Sequence, residues 1–412
     1  MGLAFSIIVA RFYGAEVVGI VAVINSFLML VTIFAVLGTD TSILRLIPEH
    51  LARYSPTSAF KVYRKVQYMV IGISSITAAV LFFGASLIAD KVFSKPHLSY
   101  YFALASVFVI FKSMMLLNTS AVRGLKLIRP FVLMLVLPQT FNLLFLVAVG
   151  LLWTSRDIPV YAVLFGFAMT GILGCFIMEY TFRQKVQPED SVHPMPGSKI
   201  LSISLPMLMT ATMTFFIDQT GVIMLGMFRS EAEVGYYVIA VKLATMTTFI
   251  LNAVNSMAAP KFSELFHSGR MNELFYVAKK SAKLIFWTTT PILLGLIAIG
   301  KPVLQIAFGR EFVVAYAALV FLVLGQFAHS ISGATGLFMN MTGNQKVLRN
   351  IMLLAAVFNI GLNLLLIPGH GIHGAAIAAM VSLSGWNILT LIYIKIKFGK
   401  TTGYLPLPAA WS

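Results

Sequence analysis

Long apolar stretches separated by short polar connections run through this chain from one end to the other. A helix needs about 20 predominantly apolar residues to cross the hydrocarbon core of a bilayer. Eleven stretches of this kind lie near residues 16–37, 67–89, 100–121, 131–153, 159–180, 200–227, 233–257, 284–307, 313–338, 350–367 and 371–394. The pattern therefore predicts an all-α polytopic membrane protein.

The pattern occurs twice, because residues 12–181 are echoed by residues 228–400. Matched positions include Phe12 and Phe228, Gly19 and Gly235, Tyr63 and Phe275, Lys65 and Lys280, Gly124 and Gly343, Lys126 and Lys346, Arg129 and Arg349, and the runs 141–144 and 362–365. Repeated helix bundles that move about a central cavity are typical of transporters. The repeat predicts two six-helix bundles, residues 1–183 and 199–412, joined by a cytoplasmic linker rich in Pro and Gly at 184–198.

Residues 2–10 form a twelfth apolar stretch that is too short to span a bilayer and lacks the basic start of a signal peptide. In the second half, the matching helix begins near Lys199. The offset between the halves is about 216 residues at this point, which puts the expected start of the first helix before Met1. We therefore expect about 12 transmembrane helices in the fold, with roughly 15 residues of a truncated first helix missing from this sequence.

Composition and charge agree with a membrane location. Hydrophobic residues make up 59% of the 412 residues and charged residues only 11%. The net charge of +16 would indicate nucleic acid in a soluble domain, but here the Lys and Arg residues lie in short loops between apolar stretches. Alternate loops carry 21 and seven of them, and the positive-inside rule places the richer side in the cytoplasm. This asymmetry predicts a multi-pass protein of the cytoplasmic membrane with both termini cytoplasmic and no nucleic-acid partner.

Two matching cytoplasmic segments, Pro48 to Lys65 and Pro260 to Lys283, hold basic and apolar residues in mixed order. They predict helices that lie along the membrane surface, where Lys and Arg meet anionic lipid headgroups. Loops that continue into extensions of the neighbouring spans are the alternative.

Motifs for soluble chemistry are absent from the sequence. No G-x-x-x-x-G-K-[ST] motif is present, so the chain is not itself a P-loop ATPase. Cys175 is the single cysteine, which leaves no partner for a disulfide or a thiolate metal site. His370 and His373 lie in a Gly-Pro turn without an acidic or Cys ligand nearby, and this context favours a tight turn. We predict no catalytic residue, no metal and no cofactor.

Ionisable residues inside apolar helices are the best functional candidates, since each costs about 2.5–3.5 kcal/mol at the helix centre unless it is paired or hydrated. Asp218 and Lys242 lie twelve residues on either side of Ser230, the centre of a predicted helical hairpin, so they reach similar depth. We predict an ion pair there. It either pins the hairpin or forms part of a cavity wall or a cation-responsive switch.

Three further residues lie in or next to apolar helices. Lys112 is near mid-membrane without an acidic residue in its own helix. It is either satisfied by an acid elsewhere or kept for an anionic substrate. His329 is either a packed neutral imidazole or a cavity residue, and Asp40 follows Gly38 at the cytoplasmic end of its helix.

Short runs in both halves carry a family resemblance. They are ARFYGAEVVG at 10–19, LGTDT at 37–41, RLIPE at 45–49, ID at 217–218, VIMLG at 222–226, EVGYY at 233–237, AVKL at 240–243 and GIHGAAIA at 371–378. With these runs the whole chain resembles the polysaccharide transporter family, which includes Wzx-type flippases for lipid-linked oligosaccharides. The superfamily also holds MATE drug exporters and lipid II flippases.

The resemblance implies a MATE-like, V-shaped pair of bundles around a cationic central cavity. The resemblance also implies that the diphosphate and sugars of an undecaprenyl-diphosphate-linked unit pass through that cavity while the lipid tail stays in the bilayer. Residues Lys112, Lys242, Arg45 and Arg123 are the candidates for contacting the anion. Arg45 and Arg123 are equally consistent with ordinary cytoplasmic anchors.

These observations favour a flippase that moves a lipid-linked oligosaccharide for surface polysaccharide assembly, such as that of O-antigen. Its expected partners are the lipid-linked oligosaccharide and membrane lipids, and polysaccharide polymerase machinery is a further candidate. The alternatives are a MATE-type cation-coupled exporter of small amphipathic compounds, with Asp218 or Asp40 as the coupling carboxylate and His329 as a further candidate, or a lipid II flippase. A polymerase or ligase is disfavoured because such enzymes are expected to have a large catalytic outer loop, and the outer loops here are short.

Overall fold

The computed structural model describes residues 2–186 and 193–406, and in these ranges the chain is almost entirely helical, without β-strands. The α-helices are α1 (Gly2–Val36), α2 (Thr39–Arg53), α3 (Pro56–Leu87), α4 (Ser99–Gly124), α5 (Ile128–Leu152), α6 (Ile158–Lys185), α7 (Gly197–Phe228), α8 (Glu231–Ala244), α9 (Thr248–His267), α10 (Met271–Ala307), α11 (Tyr316–Ser332), α12 (Thr335–Met341) and α13 (Gln345–Phe398). Among the described residues, ten helical segments are long and apolar enough to cross a membrane. The chain is therefore an all-α multi-pass membrane protein, as the sequence predicts.

Two of these segments are broken by a glycine, and each contains more than one of the apolar stretches found in the sequence. Helix α13 has 54 residues, and at 1.5 Å per residue it would extend about 81 Å, far more than a bilayer core. Its backbone leaves the helical region at Gly371, with φ 51° and ψ −128°, between the predicted spans 350–367 and 371–394. Helix α1 breaks at Gly14 in the same way, with φ 81° and ψ 175°, which separates the short first stretch from the span at 16–37.

The predicted surface segments take the form of helix ends joined by tight turns. The segment from Pro48 to Lys65 contains the end of α2 and the start of α3, where Ser55 Oγ accepts the backbone N–H of Ser58 at 3.1 Å and Pro56 begins the helix. Such a cap starts a new helix and so interrupts the old one. In the second segment, α9 ends and α10 begins around Gly269, whose φ is 70°. Residues 56–65 and 271–283 are therefore extensions of long apolar helices.

The chain divides into two compact units, Met1–Thr212 and Met213–Ser412. The division falls within α7. The predicted linker at 184–198 includes residues 187–192, which lie outside the described residues, so that linker stays a prediction.

Matched residues of the repeat occupy the cores of both units. In the first unit, Tyr63 is 1% exposed and stacks on Phe182, with ring centroids 5.7 Å apart. In the second unit, its counterpart Phe275 is 4% exposed and packs on Phe338 at 5.2 Å. Tyr63 differs by donating its hydroxyl hydrogen to Asn118 Oδ1 at 2.7 Å. The same position thus organises each core, once with a polar network and once with aromatic packing.

Candidate functional site

Lys112 lies in the middle of α4 with only 6% of its surface exposed. Its Nζ donates to Asn25 Oδ1 on α1 at 3.3 Å and lies 4.5 Å from the centroid of the Phe167 ring on α6. Close packing of α4 on α6 requires Gly171, because a Cβ there would lie 2.5 Å from the carbonyl oxygen of Phe111. The sequence thus brings three helices together around one ammonium group.

Within residues 2–186 and 193–406, Lys112 forms no salt bridge with a carboxylate. Its two contacts are an amide oxygen and an aromatic face, which stabilise a cation less than an opposite charge does. Of the two readings that the sequence leaves open, the structure favours the one in which no acid neutralises this residue. An ammonium in this setting can donate further hydrogen bonds to an anionic group such as a phosphate.

Arg45 and Arg123 lie elsewhere in the first unit. Arg45 on α2 is exposed and lies 3.8 Å from Glu49, and Arg123 at the end of α4 stacks over Phe131 at 5.7 Å. The end of α4 packs on α2, where a Cβ at Gly124 would lie at ordinary contact distance, 3.5 Å, from Ile47 Cβ. Arg123 lies eleven positions after Lys112 on the same helix, which is about 16 Å along the helix axis. The two arginines share one end of the unit and do not join Lys112.

Asp40 lies in the first turn of α2, where the helix dipole favours a carboxylate. Burial nevertheless raises the pKa of Asp40, while hydrogen bonds from Thr41 act in the opposite direction. The preceding Gly38 has φ 72° and packs directly on α7, where Ser42 and Ser204 share a hydrogen bond of 2.7 Å. Asp40 is therefore held at a helix junction.

Asp218 on α7 is an exposed residue that lines a small pocket of about 110 Å³ in the second unit. Polar side chains from three other helices line the same pocket, namely Tyr237 and Thr245 around α8, Gln326 on α11, and Asn359 and Asn363 on α13. The Oδ1 atom of Asn363 is buried without a hydrogen-bond donor among the described residues. A carboxylate grouped with amide and hydroxyl oxygens suits a proton or a small hard cation. No group of three or more His, Cys, Asp or Glu side chains close enough to hold a metal ion occurs in the described part of the chain.

The predicted hairpin is present, but the predicted ion pair between Asp218 and Lys242 is not formed. Helix α7 ends at Phe228, and Ser230 caps α8 by accepting the backbone N–H of Glu233 at 3.4 Å. The salt bridges between described residues do not include Asp218 with Lys242. Val241 lines the Asp218 pocket, and the next residue along a helix points about 100° away from it. Equal depth in the hairpin therefore does not place the two charges on facing surfaces.

His329 on α11 packs edge-on against Trp386, with ring centroids 5.7 Å apart. It does not line the Asp218 pocket, although Gln326, one turn earlier, does. This placement favours the packed imidazole. Near the break in α13, His373 has a buried Nδ1 without a hydrogen-bond partner in the described structure.

Sequence reasoning missed the polar residues that surround the charged ones. Asn25, Asn359 and Gln326 are neutral amides inside apolar stretches, and only Asn363 was noted, as a matched position of the repeat. A search for amide side chains in membrane spans would have found them, because a buried amide in hydrocarbon needs a hydrogen-bond partner.

Comparison with curated proteins identifies relatives of this chain by sequence. The chain is 24% identical over 188 residues to the probable low-salt glycan biosynthesis flippase Agl15 of Haloferax volcanii, a match covering 45% of this chain and 40% of that protein. It is also 25% identical over 150 residues to an uncharacterised membrane protein of Methanocaldococcus jannaschii, covering 36% and 30%. The chain thus spans less than half the length of the curated relatives it matches.

Solved structures confirm the MATE-like fold. The lipid II flippase MurJ in its inward closed conformation superimposes with a TM-score of 0.73 at 16% identity, covering 96% of this chain and 85% of that one. An inward-facing multidrug transporter of the MATE family gives 0.69 at 14% identity, covering 96% and 93%. The family model described as polysaccharide biosynthesis protein matches residues 8–317. The chain therefore belongs to the polysaccharide biosynthesis protein family, with the fold shared by lipid flippases and multidrug exporters.

Proposed function

We propose that this protein is a flippase that moves an undecaprenyl-diphosphate-linked oligosaccharide across the cytoplasmic membrane for surface polysaccharide assembly. Family membership, the matched glycan flippase and the flippase fold all support transport of a lipid-linked glycan. The proposed role is transport without covalent chemistry, so it requires no catalytic residue and no cofactor. The proposal places both termini in the cytoplasm, because the Lys-rich and Arg-rich loops alternate with poor ones.

The observation that carries the proposal is the buried ammonium of Lys112. A cation inside a membrane bundle without a carboxylate partner is costly unless an anion offsets its charge during function. The diphosphate of a polyprenyl-linked glycan is such an anion, and Lys binds phosphate as a point charge. We assign Lys112 to this contact, with Lys242 as the candidate cation of the second unit. Arg45 and Arg123, exposed at one end, attract the diphosphate at the membrane surface before it enters.

The Asp218 pocket favours one feature of the alternative, cation-coupled export. Its carboxylate and amide oxygens can take up a proton or a small cation, which is how such an exporter would draw on an ion gradient. A flippase with this pocket can use the same coupling, so the pocket by itself does not select the small-molecule exporter. We therefore include Asp218 as the coupling carboxylate, with Asp40 and His329 as weaker candidates. Interaction with a polysaccharide polymerase also belongs to the proposal.

The test is leaflet-resolved measurement of lipid-linked sugar in cells that lack this gene. Complete lipid-linked units should accumulate on the cytoplasmic face, and their mass would identify the sugars. Restoring the gene should clear the accumulation, whereas a Lys112→Met version should not. Lys61→Met, which removes an exposed lysine from α3, is the matched control and should restore export.

Normal lipid-linked pools, together with altered tolerance to small cationic compounds, would contradict the flippase proposal. That result would assign the protein to the drug-exporter branch, with Asp218 as its coupling group. Accumulation of lipid-linked peptidoglycan precursor would instead assign it to lipid II transport.

A further inference from the structure

A second groove in the same unit as the Asp218 pocket lies between α9 and α10, close to the turn that joins them. It encloses about 260 Å³. Positions 254, 257, 258 and 261 line it on α9, and positions 277, 280, 281 and 284 line it on α10. Both sets follow the spacing i, i+3, i+4, i+7, which selects one face of a helix. The groove is thus a slot between two facing helical stripes, which we call the α9–α10 groove.

Charge in the α9–α10 groove is confined to one end and has one sign. Lys261 and Lys280 are its charged lining residues, and no acidic side chain lines it. Counting from the turn, the antiparallel helices place the two lysines within roughly one helical turn of each other along the axis. Val254 and Leu284 line the end farther from the turn. The groove therefore has a cationic mouth and an apolar tail.

The groove opens outward from the unit. Met257 is 79% exposed and Leu284 is 53% exposed, while Ser281 on the floor is 8% exposed. Lys261 Nζ contacts Glu264 Oε1 at 2.8 Å, an exposed pair that contributes little and leaves other ammonium hydrogens available. Lys280 forms no ion pair with any residue in the described ranges. Two ammonium groups are therefore accessible above an apolar slot.

The corresponding corner of the first unit lacks this arrangement. Pro48 and Pro260 begin matching segments of the repeat, and the residues that follow them are Glu49 and Lys261. Glu49 lies 3.8 Å from Arg45 and 3.3 Å from Arg53 on the same helix, and Lys65, the counterpart of Lys280, donates to the backbone carbonyl oxygen of Met195 at 3.0 Å. The cationic groove is thus specific to the second unit and is not a general result of basic loops.

We propose that the α9–α10 groove binds an anionic phospholipid of the surrounding bilayer. The phosphate lies between Lys261 and Lys280, and one acyl chain runs along Met257 and Leu284 toward the apolar tail. A basic side chain at a membrane surface attracts anionic lipid by about 1 kcal/mol, and the facing slot adds apolar contact. This inference depends on the membrane location of the chain and not on transport, so either proposal can fail without the other.

Native mass spectrometry of the purified full chain tests the groove, with phosphatidylglycerol and phosphatidylcholine as the added probes. Lys261→Gln/Lys280→Gln should weaken retention of phosphatidylglycerol roughly thirtyfold, because two cationic contacts of about 1 kcal/mol each are lost. Lys279→Gln/Lys346→Gln removes the same charge from exposed positions outside the groove and should change retention less than about twofold. Ser281→Leu, which fills the floor without changing charge, should weaken retention as well.

An equal loss of phosphatidylglycerol retention in the two lysine double variants would overturn the proposal, since it would show that retention depends on general surface charge and not on the groove. Equal retention of phosphatidylcholine, or no effect of Ser281→Leu, would overturn it too. Retention of polyprenyl phosphate in preference to phosphatidylglycerol would assign the groove to the carrier lipid. A dimer mass without bound lipid would assign it to an interface between copies.

Discussion

Lys112 is a buried charge without a carboxylate partner among the described residues. Such a charge lowers the stability of the fold, while the proposed transport requires it. Replacing it with Met keeps a similar shape and removes the desolvated ammonium. We expect Lys112→Met to raise the thermal unfolding midpoint by about 2–4 °C, because buried charges are often less stable than apolar groups of similar volume. The same change should lower lipid flipping at least about tenfold, since a charge-assisted contact is lost.

The measurement pairs thermal unfolding of the purified protein with flipping in proteoliposomes. Lys61→Met is the control, and it should leave both quantities unchanged. Full flipping by the Lys112 variant would contradict the anion role. An unfolding midpoint below that of the wild type would show that the folded protein stabilises the Lys112 ammonium by more than its contacts with Asn25 and Phe167.

The missing ion pair between Asp218 and Lys242 gives a second prediction at the scale of single residues. Groups that do not touch usually contribute independently, whereas partners in a salt bridge do not. We therefore expect Asp218→Asn and Lys242→Ala to have additive effects on the free energy of unfolding, within about 0.5 kcal/mol. A double-mutant cycle by chemical denaturation measures this coupling. A coupling energy of about 1 kcal/mol or more would contradict this expectation, and it would support the ion pair that the sequence predicts from the equal depth of Asp218 and Lys242 in the hairpin.

His50 provides a pH dependence outside the membrane spans. It is 4% exposed on α2, and its Nδ1 lies 3.0 Å from Ser58 Oγ. Burial lowers the pKa of His50 from its ordinary value of 6.5, Glu49 acts to raise it, and His193 and Lys199 act to lower it. The folded protein therefore binds fewer protons here than the unfolded chain. The stability that His50 contributes is present above about pH 6.5 and is lost as the pH falls below that value.

We expect the unfolding midpoint of the wild type to fall between pH 7.5 and pH 5.5 by about 2 °C more than that of His50→Gln. Burial raises the pKa of the Asp40 carboxyl, which has the opposite sign because it favours the folded state at low pH. Asp40 is present in both proteins, so the difference between the wild type and His50→Gln isolates the histidine. Parallel pH profiles for the two proteins would refute the assignment.

At the scale of helices, the junction between α1 and α2 depends on Gly38. Its φ of 72° disfavours any residue with a Cβ, and a Cβ there would lie 2.6 Å from the backbone nitrogen of Leu208 on α7. Gly38→Ala should therefore lower the free energy of unfolding by about 2 kcal/mol or more. Gly72→Ala is the matched control, since it lies inside α3 with no heavy atom within 4 Å of the new Cβ, and it should be neutral or slightly stabilising. Thermal unfolding of both variants checks the difference.

The sequence predicted helices better than it predicted where they break. Apolar stretches gave each span, because hydrophobic length is a local property. The helical backbone of α13 breaks at the single residue Gly371, whereas the sequence predicts a Gly-Pro turn around His370 and His373. Arg229 helps to hold this region by donating to the carbonyl oxygens of Ile367 and Pro368 at 3.2 and 2.6 Å. That partner lies more than 100 residues away, so no local pattern reveals it. The same limit applies to Lys112, whose charge was visible while Asn25 and Phe167 were not.

Across the whole molecule, the repeat shows which features both units share and which belong to one alone. Tyr63 and Phe275 serve the same packing role in their units, and both were found by matching the halves of the sequence. The polar pocket around Asp218 has residues from four helices. Which side chains line it depends on how each helix is oriented about its own axis in the packed structure. Spacing along one helix cannot supply that rotation. Repeats therefore predict architecture, while the chemistry of each unit needs its three-dimensional packing.

The orientation of the whole chain can be tested directly because Cys175 is its single cysteine. In a Cys175→Ser background, we expect Ser268→Cys, in the exposed turn between α9 and α10, to react with an impermeant maleimide only after the membrane is opened. Thr154→Cys, exposed between α5 and α6, should react in intact cells. The expectation follows from the concentration of Lys and Arg around residue 268 and their scarcity around residue 154. The opposite labelling pattern would show that the chain has the reverse orientation in the membrane. It would place Arg45 and Arg123 on the outer surface, where they could not collect a substrate made in the cytoplasm, and the direction of the proposed transport would have to change.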